Sequence, residues 1–494
     1  MEKNKEQLNN EIDLLLNKCI WKFYNDLRGA IDKSDLRDYI LMLYFYMHIS
    51  ENYEGTEVII PLGYRYQEVI SNIEKIKSIG TSLDEAILKI EEANPILLSN
   101  FKNYVSFKKI NINLNNEVLL NLLDEFYRLF SFEIIKNNIE YTFEILIAKL
   151  VDADSRDFVQ FYTPTSVSKL LAKLLVEDRN INMSIYDPAC GTGSLLLNVH
   201  QETRNQDNII YGQDINTSVI TLARMNMILH GLNDVSLQAG DTLQNPAYIE
   251  NQSLKKFDIV VSNPPFSMRW DSSMAYTDKF NRFKRGIPPK GKADYVFLSH
   301  MIESTKDNIG RMGIILPQGA LFRGVEESKI RKSIVLENLL EAVIGLPPNI
   351  FYGTAITAVI LIFSKSKKGN SDTLFIDASS CLENYKKRNF LREDDISKIV
   401  KEIKRFRKSK PLSSKVGTII TPNFSYRATI EDIIEKNFNL NIANYVKYVE
   451  QKSLSEIYSP NIESIYLEIK NIEIEFAMES AFMNKYIKEI MDNS

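Results

Sequence analysis

Histidine, cysteine and tryptophan are scarce in this chain of 494 residues, at four, three and two copies. Each shortage excludes something. Cys19, Cys190 and Cys381 stand far apart, with no paired spacing for a zinc site or a disulfide framework. The histidines are scattered at His48, His200, His230 and His300, so no metal is expected. Dispersed thiols suit a cytoplasmic location. No apolar run reaches the roughly 20 residues that cross a bilayer. The opening residues Met1-Glu2-Lys3-Asn4-Lys5 lack the apolar core of a signal peptide, so no membrane association is expected. The net charge of −4 argues against wholesale electrostatic capture of nucleic acid. Any such contact must come from local basic patches or from a partner.

What is present is an ordinary globular composition, 44% hydrophobic and 25% charged, in a chain long enough for two or three domains. Residues 1–150 read as a helical domain: Leu14, Leu15, Leu16, Cys19, Ile20 and Phe23 recur at helix spacing, as do Leu119, Leu122, Leu123, Phe126 and Phe130. Residues 151–370 change texture to short apolar strands separated by helical segments. The expected strands are Ser184–Asp187, Ile209–Asp214, Val235–Gln238, Phe257–Ser262, Gly313–Pro317, Leu340–Gly345 and Ala358–Phe363. Such alternation predicts an α/β fold, a mostly parallel sheet with helices on both faces and ligands at the strands' carboxyl ends. Residues 371–494 begin polar and end in a predicted helix. There Ile462, Ile465, Ile469, Ile472, Phe476, Met483, Tyr486 and Ile490 fill eight of nine heptad positions, Glu479 taking the other. A stripe that narrow calls for a partner helix.

Chemistry concentrates at two places. Ser262-Asn263-Pro264-Pro265-Phe266 follows the apolar run Phe257–Val261, so two prolines fix the backbone as it leaves a strand. An amide side chain, a bare carbonyl and an aromatic ring are thereby presented together. That set suits a planar amino group, held by hydrogen bonds and stacked on its face. Upstream, Asp187-Pro188-Ala189-Cys190-Gly191-Thr192-Gly193-Ser194 lies between a short strand and an apolar helix, and its glycines let backbone pass close beneath a ligand. Asp214, 21 residues after Gly193, ends the next strand, where an acid can bind two ribose hydroxyls; Ile215 follows it. Asp241 ends the third strand, placed for an adenine amine. This order fits S-adenosylmethionine better than a nicotinamide dinucleotide, because residue 196 is Leu where the third glycine would stand.

On these residues the sequence resembles the gamma-type N6-adenine DNA methyltransferases, specifically the modification subunit of type I restriction–modification systems. Phe161-Tyr162-Thr163-Pro164 resembles that family's upstream cofactor motif. Similar likenesses lie in Lys292–Leu298, Gly310–Pro317, Phe351–Thr354 and Asn437–Tyr445. Ser194-Leu195 departs from the small residue and phenylalanine often found there. The resemblance implies a seven-stranded Rossmann-like methyltransferase sheet with a helical N-terminal domain and a helical C-terminal tail that docks subunits. It implies DNA as substrate, a separate specificity subunit, commonly two copies of the modification subunit, and room for a translocating nuclease subunit. No helicase or nuclease motif is present. Asn263, Pro264, Pro265 and Phe266 would then be catalytic, the base being flipped out of the duplex onto Phe266.

Other signals are weaker. Gly286–Ala293 imitates a phosphate-binding loop but lacks the closing Ser or Thr, and its prolines remove amide donors. Lys279, Arg282, Lys284, Arg285, Lys290 and Lys292 lie within 14 residues without an acid, and are expected to grip phosphates near the flipped base. The cluster from Lys401 to Lys410 reads as a charged helix end. Two rival readings remain: a methyltransferase acting on a protein glutamine or an RNA adenine, and an inactive scaffold.

Overall fold

Strands buried on both faces must satisfy their backbone groups in each other, and the apolar segments after residue 180 do so. In the computed structural model they join a mixed sheet of ten strands. The structure describes residues 2–27, 33–51, 57–71, 78–95, 98–99, 101–109, 116–153, 163–176, 182–203, 205, 207–351, 356–367, 370–385, 388–447, 466, 469–473 and 476. The strands of the main sheet are β1 (Ser184–Asp187), β2 (Ile209–Asp214), β3 (Val235–Ala239), β4 (Ile259–Ser262), β5 (Arg311–Pro317), β6 (Leu340–Gly345), β7 (Ala358–Ser364), β8 (Thr373–Asp377), β9 (Thr418–Thr421) and β10 (Ser425–Ala428). Their order is β9-β10-β8-β6-β7-β5-β4-β1-β2-β3.

The run β5-β4-β1-β2-β3 is parallel throughout, so its carboxyl ends share one edge. Asp187 is in register with Gly212, and Asp214 with Ala239. β7 runs antiparallel between β5 and β6. All seven expected strands are present, with ends within two residues of expectation. The expected count is corrected: β8 adds parallel to β6, and β10 and β9 follow antiparallel, so the sheet continues past residue 370 to Ala428. Their signal was weak for a physical reason. β9 is a half-exposed edge strand and β10 only four residues long, which leaves little hydrophobic alternation to read.

Before the sheet, the helix Lys33–Glu51 buries every residue from Tyr39 to Met47. A helix apolar all round belongs at the centre of a bundle, and the helices Glu2–Asp26, Asn116–Phe130 and Ile139–Ala153 contribute to the same core. That core is continuous with the sheet through one shared element, the helix Thr217–Leu229. Asn216 caps it, its Oδ1 accepting from the N–H groups of Ser218 (2.9 Å) and Val219 (3.3 Å). Val219, Leu222, Met225 and Ile228 face the helical core, while Ile220, Ala223 and Met227 face the sheet. Arg224 joins both sides, donating to the Ser99 carbonyl at 2.8 Å and the Leu237 carbonyl at 2.8 Å.

Residues Tyr448–Ser494 form a separate unit. Within it Tyr466, Ile469–Glu473 and Phe476 are helical, and Ile469, Ile472 and Phe476 of the expected stripe are exposed. Ile462, Ile465, Met483, Tyr486 and Ile490 lie outside the described residues.

Arg407 belongs to the basic cluster expected at a helix end, but it turns inward. Its Nη2 and Nε donate to the buried Glu341 carboxylate at 2.7 and 3.0 Å, and Nη2 also reaches the Leu174 carbonyl at 2.8 Å. Arg311 adds a contact of 3.4 Å to the same carboxylate. Burial pushes the Glu341 carboxyl up, yet the two guanidinium groups outweigh it and hold it below the ordinary value. Removing one member of such a network strands the others without a counter-charge. Glu341→Ala should therefore cost about 3–5 kcal/mol of stability in urea unfolding.

Candidate active site

The motifs at Asp187, Asp214, Asp241 and Asn263 each lie at the carboxyl end of a strand of the parallel run, and adjacency of those strands brings four separated segments together. A cleft opens there. Thr163, Asp187, Pro188, Ala189, Thr192, Asp214, Ile215, Asp241, Asn263 and Pro265 line it, joined by Cys190, Ser194, Leu195, Thr242, Met268 and Phe297. Gly191 and Gly193 form the turn on either side of Thr192, at φ 53° and 78°. Gly193 also needs its missing side chain: a Cβ there would come within 2.8 Å of Met227 Cε on the helix Thr217–Leu229. Pro164 caps the start of the helix Thr165–Leu175, and Pro264 is buried beneath the turn; neither lines the cavity. Phe161 and Tyr162 lie outside the described residues, as do Tyr352, Gly353 and Thr354.

The two carboxylates beside the glycine turn are held by main-chain donors. Asp214 accepts from Gly191 N at 3.0 Å and from Asn216 N at 2.9 Å. Burial raises its carboxyl above the ordinary value, partly offset by these bonds. Asp187 Oδ1 accepts from Ala189 N at 2.9 Å and from the Ser262 hydroxyl at 2.8 Å. That second bond ties the end of β1 to the residue preceding Asn263. Burial pushes Asp187 up to about 7. Asp241 Oδ1 takes the N–H groups of Leu243 (2.9 Å) and Gln244 (3.2 Å), which fixes its turn. Burial also raises the Cys190 thiol, so it stays protonated and unreactive.

Asn263 is the distinctive group. Its Nδ2 donates to Thr163 Oγ1 at 3.0 Å, while its Oδ1 is buried, lies in the cavity-lining residue and has no partner among the described residues. A buried amide oxygen left without a donor is costly, unless a ligand supplies one. Phe266, half-buried, meets the Phe351 ring edge-on with centroids 5.8 Å apart.

The expectation of a phosphate-gripping loop is corrected for its two arginines. Arg282 is buried in an ion pair with Asp278 at 2.7 Å and donates to the Leu243 carbonyl. Arg285 is buried against Glu337 and Glu303, and Lys284 pairs with Glu303. Asp278, just outside the run, neutralises Arg282, while Glu303 and Glu337, distant in sequence, neutralise Arg285. Lys279 and Lys290 remain exposed. Of the lining residues missed by motif reading, Cys190, Ser194, Leu195 and Thr242 adjoin residues that were found. Met268 and Phe297 carried no signal of their own as ligand contacts, and only tertiary packing brings them in.

The sheet order, with an antiparallel seventh strand and a ligand cleft over the first four strands, defines the α/β methyltransferase class. Comparison with known proteins agrees. Residues 136–453 match the model of N-6 DNA Methylase, and residues 16–126 match that of the HsdM N-terminal domain. The chain belongs to the N-6 DNA methylase family. It is 29% identical to the type I restriction enzyme MpnII methylase subunit of Mycoplasma pneumoniae, over 92% of this chain and 93% of that one. It is 32% identical to the MjaVIII methylase subunit of Methanocaldococcus jannaschii, over 67% of this chain and 56% of that one. Among solved structures, a type I restriction-modification methyltransferase subunit from Streptococcus thermophilus superposes with a TM-score of 0.76 at 27% identity, covering 89% of this chain and 100% of that one.

Asp187 offers a direct test of the site's electrostatics. Its raised carboxyl means that the folded state binds the proton more tightly than the unfolded state does. Its share of stability is thus complete below the ordinary carboxylate range and is lost as pH rises through about 7. Asp187→Asn keeps an acceptor for Ala189 and Ser262 but cannot ionise. Relative to the unaltered chain, the variant should gain thermal stability progressively between pH 4 and 8; melting curves across that range check it, and a constant difference would contradict the assignment.

Proposed function

We propose that this chain transfers a methyl group from S-adenosylmethionine to the exocyclic N6 amine of adenine in DNA, as the modification subunit of a type I restriction–modification complex. The unpartnered Oδ1 of Asn263 carries the reading. An adenine amine is a donor of the right kind to satisfy it. The Asn263 side chain is already oriented, because its other end is taken by Thr163.

The residues present fit the cofactor. Asp214 would accept the ribose hydroxyls, Asp241 the adenine amine, and the backbone of Ala189, Gly191, Thr192 and Gly193 would pass beneath the methionine moiety. Asp187, Pro188, Ile215, Thr163 and Pro164 would shape its walls, with Phe161 and Tyr162 completing them. When bound, S-adenosylmethionine supplies an electrophilic methyl group on a sulfonium. The chain supplies orientation. Adenine's amine is a poor nucleophile because its lone pair is delocalised into the ring. Asn263 Oδ1 and the Pro264 carbonyl would accept its two hydrogens, drawing the nitrogen toward a tetrahedral shape and freeing the lone pair for in-line displacement. Pro265 stiffens that turn, and Phe266 would stack on a base rotated out of the duplex. No side chain need take a proton during the transfer itself, since the proton can leave the methylated amine afterwards.

DNA sequence would be read by a separate specificity subunit. The exposed Ile469, Ile472 and Phe476 face is suited to docking it, and two copies of this chain would flank it. The assembly, which would work in the cytoplasm, leaves room for a translocating nuclease subunit. Among the described residues, no helix is long and apolar enough to cross a membrane.

Mass spectrometry of nucleosides from cells expressing the chain with its specificity subunit should find N6-methyladenine; methylation confined to RNA or protein would refute the reading. Asn263→Ala should lower turnover by at least about 100-fold, by analogy with removal of a transition-state hydrogen bond, with cofactor affinity nearly unchanged in calorimetry. Asp214→Ala should do the reverse, weakening cofactor binding by about 10–100-fold through loss of charge-assisted hydrogen bonds.

A further inference from the structure

The turn carrying Asn263 is gripped from outside the cavity, and we propose that Asp294 and Arg323 are the positioning pair that set it for methyl transfer. This deepens the functional reading above and rests on it. Asp294 opens the helix Asp294–Glu303, where a carboxylate is favoured by the helix dipole. Its side chain is fully buried and makes no cap to its own helix. Instead Oδ1 accepts the N–H of Ser267 at 2.9 Å, and Oδ2 takes Nη1 of Arg323 at 2.5 Å.

Ser267 directly follows Phe266 and sits at φ 54°, left-handed for a residue that is not glycine. A backbone bond from a buried carboxylate is what keeps it there. The next residues are fastened to the same place. Ala293 N donates to the Met268 carbonyl at 2.8 Å, and Trp270 Nε1 donates to the Pro289 carbonyl at 2.9 Å. Met268 itself lines the cavity. Any slack at Asp294 therefore passes within one residue to Phe266 and within four to Asn263.

Arg323 is delivered with equal care. Gly319 makes room for it: a Cβ there would stand 2.9 Å from Arg323 Nε. Arg331, itself buried, donates to the carbonyls of Arg323 (2.7 Å) and Ala320 (3.1 Å), and the Tyr295 hydroxyl donates to Ala320 at 2.8 Å. Val325, a β-branched residue, is held at φ 30° and ψ −83° where the chain turns into the helix Glu326–Leu336. Strain of this kind persists only where surrounding contacts overdetermine the backbone. The same turn brings Glu327 to Arg323 at 3.2 Å, so two buried acids share one guanidinium. Neither Asp294 nor Arg323 lines the cavity, so both act through the turn.

Two measurements on the full-length chain test this. Trp21 and Trp270 are the only tryptophans. In a Trp21→Phe background, Trp270 emission reports the turn without requiring activity. Asp294→Ala should raise acrylamide quenching of Trp270 by about twofold or more, as expected when a locally held segment opens. Asp294→Asn, which keeps the acceptor for Ser267, should stay near the unaltered chain. In single-turnover methylation with the specificity subunit and DNA, Asp294→Ala should be slower by about 100-fold, the scale of an ångström's misplacement. Its cofactor affinity should be unchanged, and Asp294→Asn should recover about tenfold, one retained hydrogen bond. Unchanged quenching, a near-normal rate, a parallel loss of cofactor binding, or an Asn variant no better than Ala would each overturn the pair. Failure of the unaltered chain to methylate DNA would count against the functional reading, and the quenching result would still judge the pair by itself.

Discussion

One hydrogen bond anchors the Asn263 amide at the cavity wall. Thr163 Oγ1 accepts from the Nδ2 group, and the carbonyl oxygen is a buried acceptor with no donor among the described residues. Thr163 precedes the helix Thr165–Leu175, which lies far upstream in sequence and packs against the helix Ser194–Glu202 that follows the glycine turn. The candidate methyl acceptor site and the candidate cofactor site thus share a wall.

The sheet makes this sharing possible. β4 and β2 flank β1, so the Asn-Pro-Pro-Phe turn and Asp214 lie on either side of the glycine turn. The Ser262 hydroxyl on Asp187 fastens β4 to β1 at the point where both leave the sheet. Burial of Asp187 and Asp214 makes their charged forms costly, and main-chain N–H groups offset that cost. The helix Thr217–Leu229 extends the same rigidity outward. It presses on Gly193 from one face and belongs to the helical N-terminal core on the other. Displacement of that core would be felt at the glycine turn.

Local pattern made much of this legible. The seven expected strands are short apolar runs bounded by turn residues, and four motifs lie at the ends of four of them. Asp187, Asp214, Asp241 and Asn263 could therefore be named before their meeting place was known. Charge was misread for a reason that is equally physical. A run of Lys and Arg without an acid inside it looks like a solvated or nucleic-acid-binding face. Arg282 and Arg285 instead find Asp278, Glu303 and Glu337, and only the folded chain shows that these cations are spent on structure.

By itself the sequence determined seven of the sheet's strands, the glycine turn, the order of the acids and the family, because periodicity and motif chemistry are local properties. Tertiary structure decided what lies between distant segments. It placed Thr163 on Asn263, carried β8–β10 onto the sheet edge, and buried Asp294 between Ser267 and Arg323. Such pairings depend on burial and on which strands become neighbours, and no stretch of sequence encodes either on its own.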